Sequence, residues 1–437
     1  MRTEMQWQRR GVVVLGAALL LGLGLAGLSA CGGSKESSNG TGSLRLLNAT
    51  SGYASLDLAV DTAAVNTGLA YGAVGSYGGA NSSGATTVVS STGSTAALSS
   101  VSRSLAKDGH FTLVAYGSSG ALKTFVLQED VAAPAGGLTN LQVLNLAPDA
   151  GAVDVYLTGS TDALAGATPL AANLGAGSSL PYTNVTAATY RLRVTGSGDK
   201  TDLRLDVNGL VLGGAQVVSL ILSEGVGGVL VNSVLLVQQG KAAALTNTQA
   251  RLRVVSAVSG AGIVTADVAG TAVASAVVAP NIGSYTQVIG SSGAPVALTV
   301  NGNPVAVANL ALSAGGDYTL LVWGNAAAPG VTLLTDDNRY PATVGSAKLR
   351  LVNATSGAPV ALTLKADFSA VAQSVTQGQA SAFTSVVAST SMRLDVSSGS
   401  NASVYSLTGA TITGKGLYTM YILGDSAAPV ADLRKDR

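Results

Sequence analysis

The feature that most constrains this chain is a set of motifs that occurs four times in the same order. Each copy opens with an apolar, strand-like segment, and these segments begin at Leu44, Leu141, Leu252 and Leu349. Successive openings lie about 100 residues apart, which is the length of a domain and well above the ~20–45 residues of a solenoid unit. The repetition therefore predicts four tandem domains of related fold.

Three further landmarks keep their order within the copies. An aromatic residue comes midway, at Tyr77, Tyr182, Tyr285 and Phe383. A stronger strand follows near the end of each copy, and it begins at Phe111, at Gln216 in degenerate form, at Tyr318 and at Tyr418. Acidic residues then follow the last strand of the first, third and fourth copies, as Glu129-Asp130, Asp336-Asp337 and Asp436.

The local pattern within each copy is that of β-strands. Residues 202–207 (DLRLDV), for example, alternate polar and apolar side chains, as in a sheet with one buried and one wet face. Turn-forming pairs such as Asn208-Gly209 and Asn301-Gly302 separate the runs. About seven short strands in each copy predict an all-β fold of four tandem immunoglobulin-like β-sandwich domains, placed after a cleaved N-terminal signal helix.

The predicted domain boundaries follow from these motifs. The β-sandwich domains span residues 43–137, 138–246, 247–345 and 346–437, and the second is the most divergent. Linkers are expected near residues 132–137, 240–247 and 340–343, where small residues and proline concentrate. Residues 31–42 are typical of a flexible tether, and residues 1–30 of a signal peptide.

Composition excludes two classes of protein. Mean hydropathy is +0.41, but beyond residue 30 no apolar run approaches the ~20 residues that span a bilayer. The hydropathy is therefore attributed to many short buried strands and to a surface poor in charge. Charged residues make up 11% of the chain, and no Lys/Arg cluster is present. A nucleic-acid partner is not expected, because such binders carry a basic face.

The N-terminus indicates export. Arg2, Arg9 and Arg10 precede an uncharged apolar stretch, residues 11–28, and small residues follow it. The sequence Leu28-Ser29-Ala30-Cys31 resembles the lipobox of bacterial lipoproteins. That resemblance implies that Cys31 is lipidated and becomes the new N-terminus. It also implies an outer-membrane address in a Gram-negative cell, since residue 32 is not Asp. The alternative is an uncleaved signal anchor in which Cys31 occurs by chance.

The repeat motifs resemble a family of bacterial extracytoplasmic domains, domain of unknown function 4397 (DUF4397). Its members open with a Leu-Arg-x-x-Asn-Ala-type strand and end on a Tyr-Thr-hydrophobic-Gly strand. Leu349-Arg350 and Asn353-Ala354 match the first motif, and Tyr418-Thr419 with Gly424 matches the second. The likeness covers residues 43–436, best in the first and fourth copies. It implies exported β-sandwich units, often tethered to a membrane, and it implies no activity.

The candidate chemical groups are few, and none predicts catalysis. The single histidine, His110, precedes a strand and is expected to be a polar strand-start residue. Asp57 and Asp61, or Asp336 and Asp337, could form a calcium site or a glycosidase pair, but solvated turns are the favoured interpretation.

Trp323 is expected in the core. Asn48 and Asn353 match the N-glycosylation pattern and are interpreted as turn residues. We expect no enzyme activity, no cofactor and no metal.

Packing of the strand that begins at Tyr318 gives a sharper expectation. Tyr318, Leu320 and Val322 share a face that stays apolar in the counterparts, so this face should lie between the two sheets. The other face admits Thr319, which should therefore lie near the surface. Each domain should fold independently of the others.

These features predict a lipid-anchored, non-enzymatic envelope protein. Its tandem sandwiches would act as a spacer, an adhesin-like surface or a scaffold, held at the membrane through the lipid on Cys31. An envelope or surface protein, or a glycan, would be its partner. The alternative is an envelope lipoprotein that binds a small molecule or a glycan through inter-domain loops.

Overall fold

The β-branched residues of the chain favour pleated strands, and its many glycines and serines favour the tight turns between them. A computed structural model describes residues 40–399 and 402–437. In these ranges the chain forms 37 β-strands and no helix. The strands build four two-sheet sandwiches, here called repeats 1 to 4. In each, the front sheet contains the opening strand, and the back sheet packs against it. The predicted signal peptide, Cys31 and the predicted tether up to residue 39 lie outside the described residues.

Repeat 1 contains eight strands. They are β1 (Thr41–Asn48), β2 (Leu56–Val60), β3 (Ala63–Leu69), β4 (Gly78–Asn81), β5 (Ala85–Ser91), β6 (Ala97–Arg103), β7 (His110–Tyr116) and β8 (Lys123–Gln128). The front sheet has the order β4-β1-β7-β8, and the back sheet has the order β3-β2-β5-β6.

Repeat 2 contains nine strands. They are β9 (Leu138–Asn145), β10 (Val153–Thr158), β11 (Ala171–Leu174), β12 (Ser179–Thr186), β13 (Ala188–Gly196), β14 (Asp199–Leu212), β15 (Gln216–Glu224), β16 (Val231–Val237) and β17 (Ala242–Leu245). The front sheet is β12-β9-β15-β16-β17, and the back sheet is β11-β10-β13-β14.

Repeat 3 contains eleven strands, several of them very short. They are β18 (Gln249–Val258), β19 (Ile263–Val268), β20 (Thr271–Val278), β21 (Asn281–Ile282), β22 (Thr286–Ile289), β23 (Ser291–Ala294), β24 (Val296–Val300), β25 (Asn303–Val305), β26 (Leu310–Leu312), β27 (Asp317–Asn325) and β28 (Ala328–Thr335). The front sheet is β21-β18-β27-β28, with β22 also on β18. The back sheet is β20-β19-β24-β25, and β23 pairs with β26.

Repeat 4 contains nine strands. They are β29 (Ser346–Ser356), β30 (Leu362–Ala366), β31 (Ser369–Val375), β32 (Gln379–Ala380), β33 (Thr384–Val387), β34 (Ser389–Ser398), β35 (Ser403–Ile412), β36 (Leu417–Asp425) and β37 (Val430–Lys435). The front sheet is β32-β29-β36-β37, with β33 also on β29, and the back sheet is β31-β30-β34-β35.

The inward face of β27, the strand that contains Tyr318, lies where the sequence predicts. Tyr318, Leu320 and Val322 belong to the core of repeat 3, between its front and back sheets. The counterparts Tyr418, Met420 and Ile422 do the same in repeat 4. The predicted core face is therefore confirmed. The three residues share it because side chains on a strand alternate between the two sides of the sheet.

The outward face of each front sheet is also covered, by the front sheet of a neighbouring repeat. Leu47 and Val114 of repeat 1 pack with Leu144 and Ile221 of repeat 2 in one buried cluster. Repeats 3 and 4 share a second buried cluster, made by Val255, Ala257, Leu321, Leu334, Val352, Ala354, Tyr421 and Leu423. Residues Gly40–Arg437 therefore form one compact unit rather than four separate bodies, and independent folding of each domain stays a prediction.

Two local predictions also need correction. The predicted linker at residues 240–247 contains β17, which pairs with β16 as the last strand of its front sheet. The Asn208-Gly209 pair lies inside β14, where the register with β13 shifts between Tyr190 and Leu192, so it forms a bulge rather than a turn between strands. Asn301-Gly302 does form the tight β24–β25 turn, with both residues at positive φ.

Candidate functional site

Four of the repeat-defining side chains meet on the outward face of the front sheet in repeat 3. Arg253 on β18 lies opposite Thr319 on β27, and Asp336 directly follows β28. Nε of Arg253 donates to Oγ1 of Thr319 at 2.9 Å, and that hydroxyl donates to Oδ2 of Asp336 at 2.6 Å. The midway aromatic, Tyr285, donates its hydroxyl to the same Oδ2 at 2.7 Å. Motifs far apart in sequence thus form one Arg–Thr–acid cluster.

Repeat 4 builds the same cluster, and the two clusters exchange ion pairs. Nε of Arg350 donates to Thr419 at 3.0 Å, and Thr419 donates to Asp436 at 2.5 Å. Nη1 of Arg253 reaches across to Asp436 at 2.6 Å, and Nη2 of Arg350 reaches back to Asp336 at 2.6 Å. Each arginine therefore pairs with the acid of the other repeat, which fixes the register of the two front sheets.

Repeat 1 keeps its ion pair within the repeat. Arg45 pairs with Glu129 at 2.9 Å, and both contact Thr112. Tyr77 donates a hydrogen bond to Glu129, and its ring lies 4.6 Å from the Arg45 guanidinium. Nη1 of Arg45 donates to the backbone carbonyl of Gly240 in repeat 2 at 2.7 Å.

Repeat 2 replaces the charged cluster with neutral residues. Gln142 and Ser219 occupy opposite positions on β9 and β15, in the register that Arg and Thr hold elsewhere. Gln238, directly after β16, holds the place of the acid and exchanges two hydrogen bonds with the backbone of Val131, at 2.8 and 3.0 Å. This copy thus has neutral residues at all three positions of the cluster. Losing all three together avoids leaving an unpaired buried charge.

The clusters of repeats 3 and 4 are fully desolvated, and their electrostatics reflect it. Burial opposes ionisation of Asp336, but Arg350 and Arg253 outweigh it and hold the pKa of this carboxyl below its usual range. Burial, followed by the nearby Asp336 charge, raises the pKa of Tyr285 well above its usual value. The pKa of Tyr421, which packs beside both arginines, is raised to about 12, mainly by burial.

The interpretation of the repeat-end acids as solvated turns is therefore wrong for three of them. The side chains of Asp336 and Asp436 are 0% exposed, and that of Glu129 is 1% exposed. Asp337 and Asp130 do remain partly exposed, at 40% and 30%. An acidic residue after a strand gives the same sequence pattern whether its side chain faces water or pairs with a buried arginine.

Two residues of β27 also differ from expectation. Thr319 is fully buried rather than near the surface, because the front sheet of repeat 4 covers it. Trp323 is half-buried against the cluster between repeats 3 and 4, not in the core of its own repeat, and its Nε1 donates to Thr332 at 3.3 Å.

The asparagine near the end of the opening strand holds the predicted turn at Asn48, the last residue of β1, whereas Asn353 lies inside β29 and the turn prediction is wrong there. Oδ1 of Asn48 accepts from the backbone N–H of Thr50 at 3.0 Å, and Asn353 does the same for Thr355 at 3.2 Å. Both asparagines are fully buried, so their amides serve the fold.

The remaining candidates lie apart from the clusters. His110 begins β7, and its Nδ1 lies 2.9 Å from Oδ1 of Asp130. Asp57 accepts hydrogen bonds from Gly68 and Thr92, and Asp61 accepts one from Thr86. Each of these carboxylates accepts hydrogen bonds from local backbone or from a neighbouring side chain.

Within residues 40–399 and 402–437, no three His, Cys, Asp or Glu side chains gather closely enough to hold a metal ion.

A cleft of about 610 Å³ lies where repeats 1, 2 and 4 approach the segment between β28 and β29. Its charged lining comprises Lys123, Asp149, Glu224, Asp337, Arg339, Lys348 and Lys415, and Tyr340 and Phe383 add aromatic surface. Sequence reasoning missed this cleft, since its walls come from four separate parts of the chain.

The carboxyl groups of this cleft differ in ionisation. Burial, followed by the charge of Asp149, raises the pKa of Glu224 to about 7. Burial also raises the pKa of Asp149, despite a hydrogen bond from the Tyr340 N–H at 2.8 Å. Burial opposes ionisation of Asp337 too, but hydrogen bonds from Arg339 and Lys348 lower its pKa to about 2.

Fold and clusters together define the class of this chain: a tandem β-sandwich repeat protein whose front sheets pack in pairs. A family model described as domain of unknown function (DUF4397) matches residues 42–156 and 250–361, about half of the chain. The chain belongs to this family. The matched regions cover repeats 1 and 3 and the opening strands of repeats 2 and 4, whereas the motifs placed the likeness best in the first and fourth copies. No curated protein matches the chain.

Cys31, the predicted lipidation site, lies outside the described residues. In the part of the chain that the structure covers, no helix is both long and apolar enough to cross a bilayer.

Proposed function

We propose that this protein is a lipid-anchored, non-enzymatic component of the bacterial cell envelope that displays its four β-sandwiches as one rigid surface. The observation that carries the proposal is the double burial of each front sheet, inside its own sandwich and against the neighbouring repeat. Desolvated ion pairs fix the relative position of repeats 3 and 4. A body built in this way suits a spacer, a scaffold or an adhesin-like surface, because it holds its exposed loops in a fixed arrangement.

The anchor in this proposal is the lipid on Cys31, and the location is the outer membrane, with display on its periplasmic face or at the cell surface. Support comes from the basic start, the apolar run and the Leu28-Ser29-Ala30-Cys31 motif. An envelope protein, a surface protein or a glycan would be the partner, and neither a cofactor nor nucleic acid is involved.

The test of the anchor is metabolic labelling with palmitate followed by detergent-phase partitioning. The wild-type chain should incorporate palmitate and enter the detergent phase. Cys31→Ser should leave unlabelled precursor, whereas Ser34→Ala in the tether should behave as wild type. A wild-type chain without incorporated palmitate would refute the anchor.

The test of rigid display is small-angle scattering of the soluble chain that begins after residue 31. Its profile should fit one fixed arrangement of four repeats. A profile that requires an ensemble of independently moving domains would refute the proposal of a rigid body.

A further inference from the structure

The cleft at the junction of repeats 1, 2 and 4 carries more positive than negative charge. Four cations line it: Lys123, Arg339, Lys348 and Lys415. Arg339 and Lys348 share the single carboxylate of Asp337, at 2.7 and 2.9 Å. The ammonium groups of Lys123 and Lys415 form no ion pair with any side chain that the structure describes.

The remaining acids do not neutralise this excess. Glu224 and Asp149 both line the cleft, and the charges of Arg339 and Lys123 lower the pKa of Glu224 against the larger effect of burial. Because burial raises the pKa of both carboxyl groups, the pair holds part of a proton at neutral pH and carries less than two negative charges. The cleft therefore keeps a net positive charge.

The uncharged lining adds a second kind of contact. The rings of Tyr340 and Phe383 line the cleft, and each has a guanidinium stacked on it, that of Arg437 at 4.0 Å and that of Arg350 at 4.5 Å. The hydroxyls of Ser118, Thr343 and Ser385 can donate or accept hydrogen bonds. The volume of about 610 Å³ lies within the ~300–1,000 Å³ typical of sites for small organic ligands. A matching ligand has a ring to lie on the aromatic side chains, several hydroxyls and a negative charge.

We propose that this cleft binds an acidic saccharide, with the ligand carboxylate held by Lys123 and Lys415 and a sugar ring on Tyr340 and Phe383. The site goes beyond the display role and does not depend on the lipid anchor. It requires the junction of the repeats, because Lys123 and Lys415 belong to repeats 1 and 4.

The experiment is calorimetric titration of the purified full chain in detergent, at low salt and neutral pH. The probe is trigalacturonate, and its fully methyl-esterified form supplies the same rings without charge. We expect one binding site for trigalacturonate and at least tenfold weaker binding of the ester. Lys123→Ala and Lys415→Ala should each weaken binding about three- to tenfold, because a partly exposed ion pair contributes on the order of 1 kcal/mol.

Two matched variants separate the site from general charge effects. Lys107→Ala removes an exposed lysine of repeat 1 outside the cleft and should leave affinity unchanged. Lys415→Arg keeps the charge and should retain binding. The proposal is overturned if trigalacturonate does not bind, if the ester binds equally well, or if Lys107→Ala weakens binding as much as the cleft variants do. None of these results bears on palmitate labelling or scattering, so this site and the display role fail separately.

Discussion

Arg253 and Asp436 lie 183 positions apart, yet their side chains meet at 2.6 Å, and both are desolvated. Arg350 and Asp336 form the reverse contact, also at 2.6 Å. This exchange joins repeats 3 and 4 through charges that neither repeat satisfies alone. Removing one partner from such a pair leaves the other charged and buried, which costs far more than losing a surface ion pair.

The first prediction concerns the acid of repeat 3. Asp336→Asn should lower the free energy of unfolding by about 3–5 kcal/mol, because Arg350 loses its carboxylate within a buried site. Chemical denaturation of the purified protein measures this change. Asp432→Asn, at an exposed position of β37, is the matched control and should leave the midpoint unchanged. Equal midpoints for the two variants would contradict the buried cluster.

The second prediction concerns the coupling across repeats. In a double-mutant cycle, Arg253→Ala and Asp436→Ala should show an interaction energy above about 1 kcal/mol, because the two side chains are in contact. Arg253→Ala combined with Asp395→Ala is the control pair, since Arg393 rather than Arg253 pairs with Asp395. Strict additivity of the first pair would show that the exchange contributes nothing to stability.

The third prediction compares the two faces of β27. Leu320→Ala should cost about 2–5 kcal/mol as a core truncation. Thr319→Val should cost about 1–3 kcal/mol, because it leaves Nε of Arg253 without its buried partner and removes one of the two hydroxyl hydrogen bonds that Oδ2 of Asp336 accepts. Thr335→Val, at the exposed end of β28, should be close to neutral. A neutral Thr319→Val would mean that repeat 4 does not cover this face.

The fourth prediction concerns proteolysis of the native protein. Protease should cut within residues 131–137, which are mostly exposed and belong to no strand. Residues 242–245 should be protected, because they form β17 in the front sheet of repeat 2. Mass spectrometry of the fragments distinguishes the two segments. Cleavage at 242–245 as fast as at 131–137 would argue against that strand pairing.

The fifth prediction concerns pH. The pKa of Glu224 is raised from 4.5 to about 7 in the fold, so its stabilising contribution is complete below about pH 4.5 and is lost as pH rises to about 7. Glu224→Gln, which resembles the protonated acid, should be about 1–2 kcal/mol more stable than wild type at pH 8, after allowance for solvent screening. The two proteins should converge at pH 4.5 in parallel denaturation series. A constant difference across this range would show that Glu224 does not titrate as described.

The sequence by itself determined the number of repeats, their all-β class and the face of β27 and its counterparts that enters the core of each repeat. These properties are local, since alternation along a strand places Tyr318, Leu320 and Val322 on one side of the sheet regardless of the rest of the chain. The turn role of Asn48 followed from local chemistry in the same way.

Only the tertiary structure decided what lies over the other face. A Thr on the second face of a strand suits water or a buried hydrogen bond equally well, so the sequence of β27 could not distinguish solvent from repeat 4. One signal was present: repeat 2 has Gln142, Ser219 and Gln238 where the other copies have Arg, Thr and an acid, and such joint replacement indicates contact. Which arginine pairs with which acid, and which walls form the cleft, depends on how whole repeats dock, because desolvation and charge pairing act through space and not along the chain.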